Sequence, residues 1–212
     1  MPILIALLSG LAGYLVGSIP FGFLIVKAVK GVDLRTVGSG RTGGTNAYRA
    51  AGFAAGAATA ILDTIKGLLC VLAIRALGAG EQTAGWAEAL AGIGVVLGHN
   101  ASLFLGFKGG AGGATAVGTS LAYLPLAGIL SMITGLFFLM VVGYPFMASI
   151  VAALTAAIAL TLAAAAGQVP LAYAGFGWGI VALIVWALRP NIARYRAGGE
   201  RRVGVFARKE KK

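Results

Sequence analysis

The 212-residue sequence predicts an all-α integral membrane protein, a compact bundle of about seven transmembrane helices with its N-terminus outside and its C-terminus in the cytoplasm. Hydrophobic residues make up 59% of the chain and charged residues 11%, and mean hydropathy is +0.93, leaving too few polar groups to cover a soluble domain. Apolar runs of about 20 residues recur, the length a helix needs to cross about 30 Å of hydrocarbon. The runs are continuous, not alternating, which favours helices over a barrel. Of the 17 Lys and Arg residues, 14 lie in Lys27–Arg49 and Arg189–Lys212, beside spans, where positive-inside charge collects.

Residues 2–27, 51–78 and 84–106 read as the first three spans. The chain opens Met-Pro with no early Lys or Arg and no small-residue cleavage pattern, so the first run reads as a retained helix. With the basic segment after it in the cytoplasm, the acidic link Ala79–Glu88 falls outside and Gly98–Thr115 returns inside. From Ala114 to Leu188, Pro125, Pro145 and Pro170 divide the apolar sequence into four pieces. Four crossings bring the tail back to the cytoplasm. The first piece, of about 11 residues, spans only about 16 Å. Small residues throughout the spans allow close helix packing. The whole chain, 1–212, reads as one membrane domain with a basic tail at 189–212, and the charge balance fits anionic head groups rather than nucleic acid, with Arg208, Lys209, Lys211 and Lys212 nearest an acidic leaflet. Cys70 has no disulfide partner in the chain and reads as a packing residue.

Polar chemistry is confined to three segments. Val37–Arg49 holds Gly38-Ser39-Gly40-Arg41-Thr42-Gly43-Gly44-Thr45-Asn46, with Arg35 and Arg49 at its flanks. Glycine lets backbone N–H groups approach an anion, and arginine offers bidentate recognition of phosphate; a flexible basic loop is the alternative. Gly98–Thr115 carries His99, then Lys108-Gly109-Gly110-Ala111-Gly112-Gly113 leading into an apolar helix, an order that makes an anion site from backbone donors and the helix dipole. It lacks Walker A spacing, and His99, the only histidine, has no partners for a metal; no metal or cofactor is expected. The third segment places Asn191, Arg194, Glu200 and Arg201 after the last span. Asp63 and Lys66, three apart in an apolar run, share a helix face, either as a structural ion pair or bordering the polar site.

Together these segments resemble the bacterial acyl-phosphate:glycerol-3-phosphate acyltransferase family, the PlsY type. Its first signature is matched by Asp33, Arg35, Gly38, Ser39, Gly40, Gly43, Thr45, Asn46 and Arg49. The second is matched by Gly98, His99, Phe104, Phe107, Lys108, Gly109, Gly110, Gly112, Ala114 and Thr115, and the third by Asn191, Ile192, Arg194 and Glu200. The similarity extends to Gly17–Gly22 and to Asp63, Lys66 and Gly67. It implies acyl transfer from acyl phosphate to the sn-1 hydroxyl of glycerol 3-phosphate, giving lysophosphatidic acid, at a cytoplasm-facing site in the inner membrane. It further implies a catalytic set of Ser39, Arg49 and His99, and substrate binding by Arg35, Gly40, Arg41, Thr45, Asn46, Lys66, Lys108, Gly109, Gly110, Gly112, Thr115 and Asn191. In this picture Lys108 and its glycines form the glycerol 3-phosphate loop, His99, Asn46 and Asn191 line the same pocket, Asp63 is structural, and Glu200 holds the tail. Nothing in the signatures fixes an oligomeric state, and a monomer satisfies them.

The chain is a diverged member by this resemblance. Arg41 stands for Asn, Gly44 for Ala, Ser102 for Pro, Ala111 for Lys, and Leu188 where a histidine is common. Arg41 is expected to offset the cation lost at 111. A changed phosphorylated acceptor or acyl donor, a non-catalytic lipid-binding role, and a transporter are the alternatives; the last is disfavoured by motifs gathered on one face.

Overall fold

A computed structural model describes residues 1–83 and 85–203, so the tail cations Arg208, Lys209, Lys211 and Lys212 lie outside the described residues. Every regular element described is helical: α1 (Pro2–Gly17), α2 (Phe21–Lys30), α3 (Gly44–Ala51), α4 (Phe53–Ala76), α5 (Ala79–Gln82), α6 (Trp86–Asn100), α7 (Gly113–Tyr123), α8 (Pro125–Val141), α9 (Pro145–Ala165) and α10 (Leu171–Arg196). Among the described residues, five segments are long and apolar enough to cross a membrane: Pro2–Lys30, Phe53–Ala76, Trp86–Leu105, Pro145–Ala165 and Leu171–Arg196. Pro125–Val141 is apolar but shorter, and α7 has 11 residues.

The sequence explains where each helix stops. The run 2–27 is interrupted at Ser18–Pro20 because Pro20 has no N–H to give and its ring disfavours helical geometry at Ile19, so α2 starts afresh and ends on left-handed Gly31 (φ 69°). Pro125 and Pro145 begin α8 and α9, and Pro170 precedes α10. At these positions a missing N–H leaves no intrahelical bond unmade. The basic stretch at 33–49, which composition presents as a loop, is half helix. Gly52 (φ 85°) separates α3 from α4.

Glycine sets the packing. α1 and α6 lie in near backbone contact, since a Cβ on Gly13 or Gly17 would run into the Ala91 or Val95 carbonyl, and one on Gly94 or Gly98 into the Gly10 or Tyr14 carbonyl. α4 and α7 meet the same way through Gly67 and Gly118, which face the Thr115 and Thr64 carbonyls. In lipid such small-residue contacts gain the dispersion energy that water exclusion cannot supply. α7 packs on α4, α8 and α9, standing between α4 and α8. Away from the polar motifs, at the far ends of α4 and α6, Arg75 pairs with buried Glu88 at 2.7 Å, Tyr173 donates to Glu88 Oε2 at 2.6 Å, and Tyr123 donates to the Glu88 carbonyl at 2.7 Å.

Gly94→Val should lower the apparent melting temperature in detergent by the equivalent of about 1–3 kcal/mol. Gly175→Ala, whose added Cβ would meet only the Trp86 ring at an ordinary 3.5 Å, should leave it unchanged. Thermal unfolding of the two purified variants checks both.

Candidate active site

The three polar segments converge on two adjoining cavities. The smaller, about 570 Å³, is cationic: Arg35, Arg41, Lys108, Arg189 and Arg194 line it, with Asp33 the one carboxylate. The larger, about 810 Å³, runs along one face of α4 through Phe53, Gly56, Ala57, Ala60 and Asp63, and is closed by Leu136, Leu139, Met140 and Phe146 of α8 and α9. That α4 face runs from Phe53 to Asp63, about 15 Å of helix. Ser39, Arg41 and Asn191 border both cavities and form the wall between them.

Ser39 is presented by its neighbours. Gly38 (φ 56°) and Gly40 (φ 71°) adopt left-handed geometry on either side, open to glycine at little cost, and a side chain at 38 would collide with Asn46 Oδ1. Asn46 organises this turn: its Oδ1 accepts from Ser39 N at 3.1 Å, and its Nδ2 donates to the carbonyls of Leu34, Val37 and Arg41 at 3.1, 2.9 and 2.8 Å. The buried amide is spent on backbone, while the residue itself lines the larger cavity. Among the described residues no partner engages the Ser39 hydroxyl.

Arg41 crosses from the first motif to the other two. It donates to the Gly110 carbonyl at 3.0 Å, to Asn191 Oδ1 at 3.2 Å and to the Ala187 carbonyl. Pro190 inside α10 removes a helix donor beside that last carbonyl. Burial pushes the Arg41 pKa down, yet arginine starts so high that it stays charged. The expected exchange with position 111 is therefore not like for like: the charge borders both cavities, but all three guanidinium nitrogens serve protein acceptors. Two of the other departures, Gly44 and Ser102, also have local causes. A Cβ at Gly44 would press on the Gly56 carbonyl at 2.9 Å and on Ala60 Cβ at 3.2 Å, so glycine lets α3 lie on α4. Ser102 donates to the Ser18 carbonyl at 2.6 Å, and Leu103 N donates to Ser18 Oγ at 3.2 Å, tying the second motif to the α1–α2 break.

The sequence placed His99, Asn46, Asn191 and the lysine loop in one pocket. The structure divides them: Lys108 and Gly109 line the cationic chamber, while Thr45, Asn46, Arg49, His99 and Gly112 line the apolar trough, and Asn191 borders both. Gly110 lines neither and lies against the His99 ring, which leaves no room for a Cβ there; its N–H donates to the His99 carbonyl at 2.9 Å. Lys66 and Thr115 also line neither cavity. Thr115 is fully buried where α7 meets α4. Lys66 is 5% exposed, with its ammonium on the carbonyls of Gly17 and Ile19, 3.0 Å each, freed at the α1–α2 break. Asp63 lies 3.1 Å from Lys66 and 3.4 Å from His99 Nδ1, so the pair both bridges one helix and borders the trough. Glu200 accepts from Asn191 Nδ2 at 2.7 Å and Arg194 Nε at 2.8 Å, clasping the segment after α10. Arg49 lines the trough and donates to the Arg201 carbonyl at 3.3 Å. Arg35 pairs with Asp33 at 2.7 Å, and that hydrogen bond holds the Asp33 carboxyl down to about 2. Arg189 joins the chamber without having been singled out in the sequence. Its position at the end of the last span, beside Pro190, was the available signal.

A helical membrane bundle whose cationic chamber abuts an apolar trough defines a class of membrane-embedded proteins able to hold a water-soluble anion next to a lipid chain. The family model described as glycerol-3-phosphate acyltransferase matches residues 7–198. The glycerol-3-phosphate acyltransferase of Geobacter metallireducens is 46% identical over 202 residues, covering 95% of this chain and 98% of that one. The one from Roseiflexus sp. strain RS-1 is 40% identical, with 95% and 97% covered. A crystal structure of PlsY (YgiH), an integral membrane glycerol 3-phosphate acyltransferase in its glycerol 3-phosphate form, matches with a TM-score of 0.82 and 37% identity over 94% of this chain and 96% of that one. The chain belongs to the glycerol-3-phosphate acyltransferase family.

Asn46→Asp should replace the donor to three carbonyls with a second acceptor and lower activity by at least about 100-fold, since a buried polar group without a partner costs about 1–3 kcal/mol and three carbonyls lose theirs. Acyl transfer by the purified variant, compared with its helical circular dichroism, checks this: helix content should persist while product falls.

Proposed function

We propose that this enzyme joins its two substrates at the wall shared by the cavities, taking the acyl group from an acyl phosphate and the acceptor hydroxyl from glycerol 3-phosphate. The protein is a glycerol-3-phosphate acyltransferase of phospholipid synthesis; the donor and the residue roles are our inference. The observation that carries them is the joint border of Ser39, Arg41 and Asn191 between a chamber suited to a small anion and a trough suited to an alkyl chain. The related PlsY structures are described as a glycerol 3-phosphate form and a lysophosphatidic acid form, which supports acceptor and product.

Glycerol 3-phosphate enters the chamber with its phosphate on Lys108, Arg189 and Arg194 and on the backbone of Gly40 and Gly109, Arg35 adding charge at the rim. The acyl chain lies along Gly56, Ala57 and Ala60. Arg49 holds the phosphate of the donor, offering the paired N–H groups that suit it, with Thr45 and the N–H groups of Gly112 and Gly113 at the start of α7 alongside. Ser39 donates its hydroxyl to a substrate oxygen at the meeting point; no base adjoins it to make it a nucleophile. An acyl phosphate is already activated. The acceptor oxygen bonds to the acyl carbonyl carbon, the bond from that carbon to the phosphate oxygen breaks, and the hydroxyl proton leaves on phosphate. Alignment and stabilisation of developing charge are what the protein must add.

The same reading gives seven crossings, formed by α1 with α2, then α4, α6, α7, α8, α9 and α10. The N-terminus is outside, and the cations at 27–49 and 189–212 face the cytoplasm across the inner membrane. One chain supplies every residue of the site, so residues 1–212 act as a single domain and a monomer suffices.

Purified protein given palmitoyl phosphate and labelled glycerol 3-phosphate should form labelled lysophosphatidic acid, and should form none with palmitoyl-CoA; product from the thioester, or from neither donor, overturns the proposed donor. Ser39→Ala and Arg49→Ala should each cut kcat/KM by about 100-fold or more, and near-native turnover in either removes that residue from the site. Ala57→Phe should raise the KM for palmitoyl phosphate by about ten-fold while leaving that for glycerol 3-phosphate within two-fold, about the effect of losing one or two buried methylenes' worth of contact.

A further inference from the structure

Of the cations that line the small chamber, three are already engaged by the protein. Arg35 is paired with Asp33 at 2.7 Å and Arg194 with Glu200 at 2.8 Å, while Arg41 donates to Gly110, Ala187 and Asn191. Lys108 and Arg189 remain, and among the described residues neither has a carboxylate or carbonyl partner. The donors free to bond directly to a phosphate therefore sit on these two side chains.

An unpaired arginine at the end of a membrane helix has many rotamers open to it and lipid phosphates within reach. Arg189 is held instead. Its guanidinium carbon lies over the Trp186 ring, 4.7 Å from the centroid, and the three-residue spacing puts both side chains on one face of α10. Trp186 also lines the chamber, although it is 52% exposed. The contact draws on the negative face of the ring and on no hydrogen-bond acceptor, so the arginine N–H groups stay available to a ligand. An indole at a membrane interface can also serve as an anchor, but an anchor would act independently of Arg189.

We infer that Trp186 is a positioning residue that holds the Arg189 guanidinium over the chamber, so that binding the acceptor phosphate need not first order that side chain. The role rests on the proposed seat of glycerol 3-phosphate in the chamber. It sets affinity for the acceptor and leaves the bond-making step alone.

Trp186→Leu keeps an apolar side chain at the interface and removes the aromatic face. It should raise the Kd of the purified protein for glycerol 3-phosphate, read by calorimetry, and the corresponding KM by about three-fold, with kcat and the KM for palmitoyl phosphate unchanged. Trp186→Tyr, which restores a ring, should stay within about two-fold of native. Arg189→Ala should weaken binding by about ten-fold or more, and Trp186→Leu added to it should weaken binding no further, because the indole acts through the arginine. Should the leucine variant not fold, replacing tryptophan throughout with fluorinated forms decides: fluorine drains the ring face, so Kd should climb with the number of fluorines, and neither Trp86 nor Trp178 lines a cavity. Unchanged affinity without the aromatic face, or full additivity with Arg189→Ala, overturns the inference and leaves the acceptor in its chamber. A native protein that does not bind glycerol 3-phosphate removes the acceptor reading, and this role with it.

Discussion

Non-helical backbone near hydrocarbon survives only where its carbonyls and N–H groups find partners, and the whole site is built on meeting that demand. Asn46 satisfies three carbonyls of the first motif, Arg41 two carbonyls of the second and third, Lys66 two at the α1–α2 break, and Ser102 one more at the same break. Tyr14 adds the Ala101 carbonyl at 2.9 Å. Asn46 ties the first motif to itself, and Arg41, Lys66, Ser102 and Tyr14 connect segments far apart in sequence. The ties that make irregular backbone tolerable therefore also fix the motifs relative to one another, and the cavities are the space left between them.

That arrangement separates two solvents. Cations gather on the side reached by Lys108, Arg189 and Arg194, where a phosphate can exchange its water for charge-assisted hydrogen bonds. Beyond Ser39 and Arg41 the lining keeps a polar end at Thr45 and Arg49 and becomes mostly alanine, leucine and phenylalanine along α4, α8 and α9, where an alkyl chain is at home. Because α7 is short and stands between α4 and α8, the trough lies along the flank of α4 instead of being filled by a full-length neighbour. The insertion of a half-length helix is thus a functional feature of the bundle as well as a topological one.

Much of this was legible in the sequence, and what was not has an identifiable cause. The prolines marked helix starts correctly because a missing N–H acts locally, and the length of α7 followed from the spacing between the glycine loop and Pro125. Ser39, Arg49 and Lys108 stood out because polar chemistry in an apolar chain has few structural explanations, and all three line the cavities. The places of Asn46, Lys66 and Thr115 were not legible because a polar residue that satisfies backbone and one that faces a ligand look the same in sequence. Arg41 is the clearest case: its identity announced a cation, but only the fold reveals that Gly110, Ala187 and Asn191 come within its reach. The partition into two cavities was equally invisible, since it depends on which side of Ser39 each motif falls. The Arg75–Glu88–Tyr173 cluster was missed because its members are scattered singly through apolar runs.

The central claim is that a soluble anion and a lipid chain occupy separate cavities and meet at Ser39, Arg41 and Asn191. A structure of the protein with glycerol 3-phosphate and a non-hydrolysable acyl phosphonate bound together tests it most directly. The account predicts the glycerol phosphate beside Lys108 and Arg189, the alkyl chain along Ala57 and Ala60, and the acceptor hydroxyl facing the acyl carbonyl at Ser39. Glycerol 3-phosphate bound within the trough, or an alkyl chain in the cationic chamber, would contradict it.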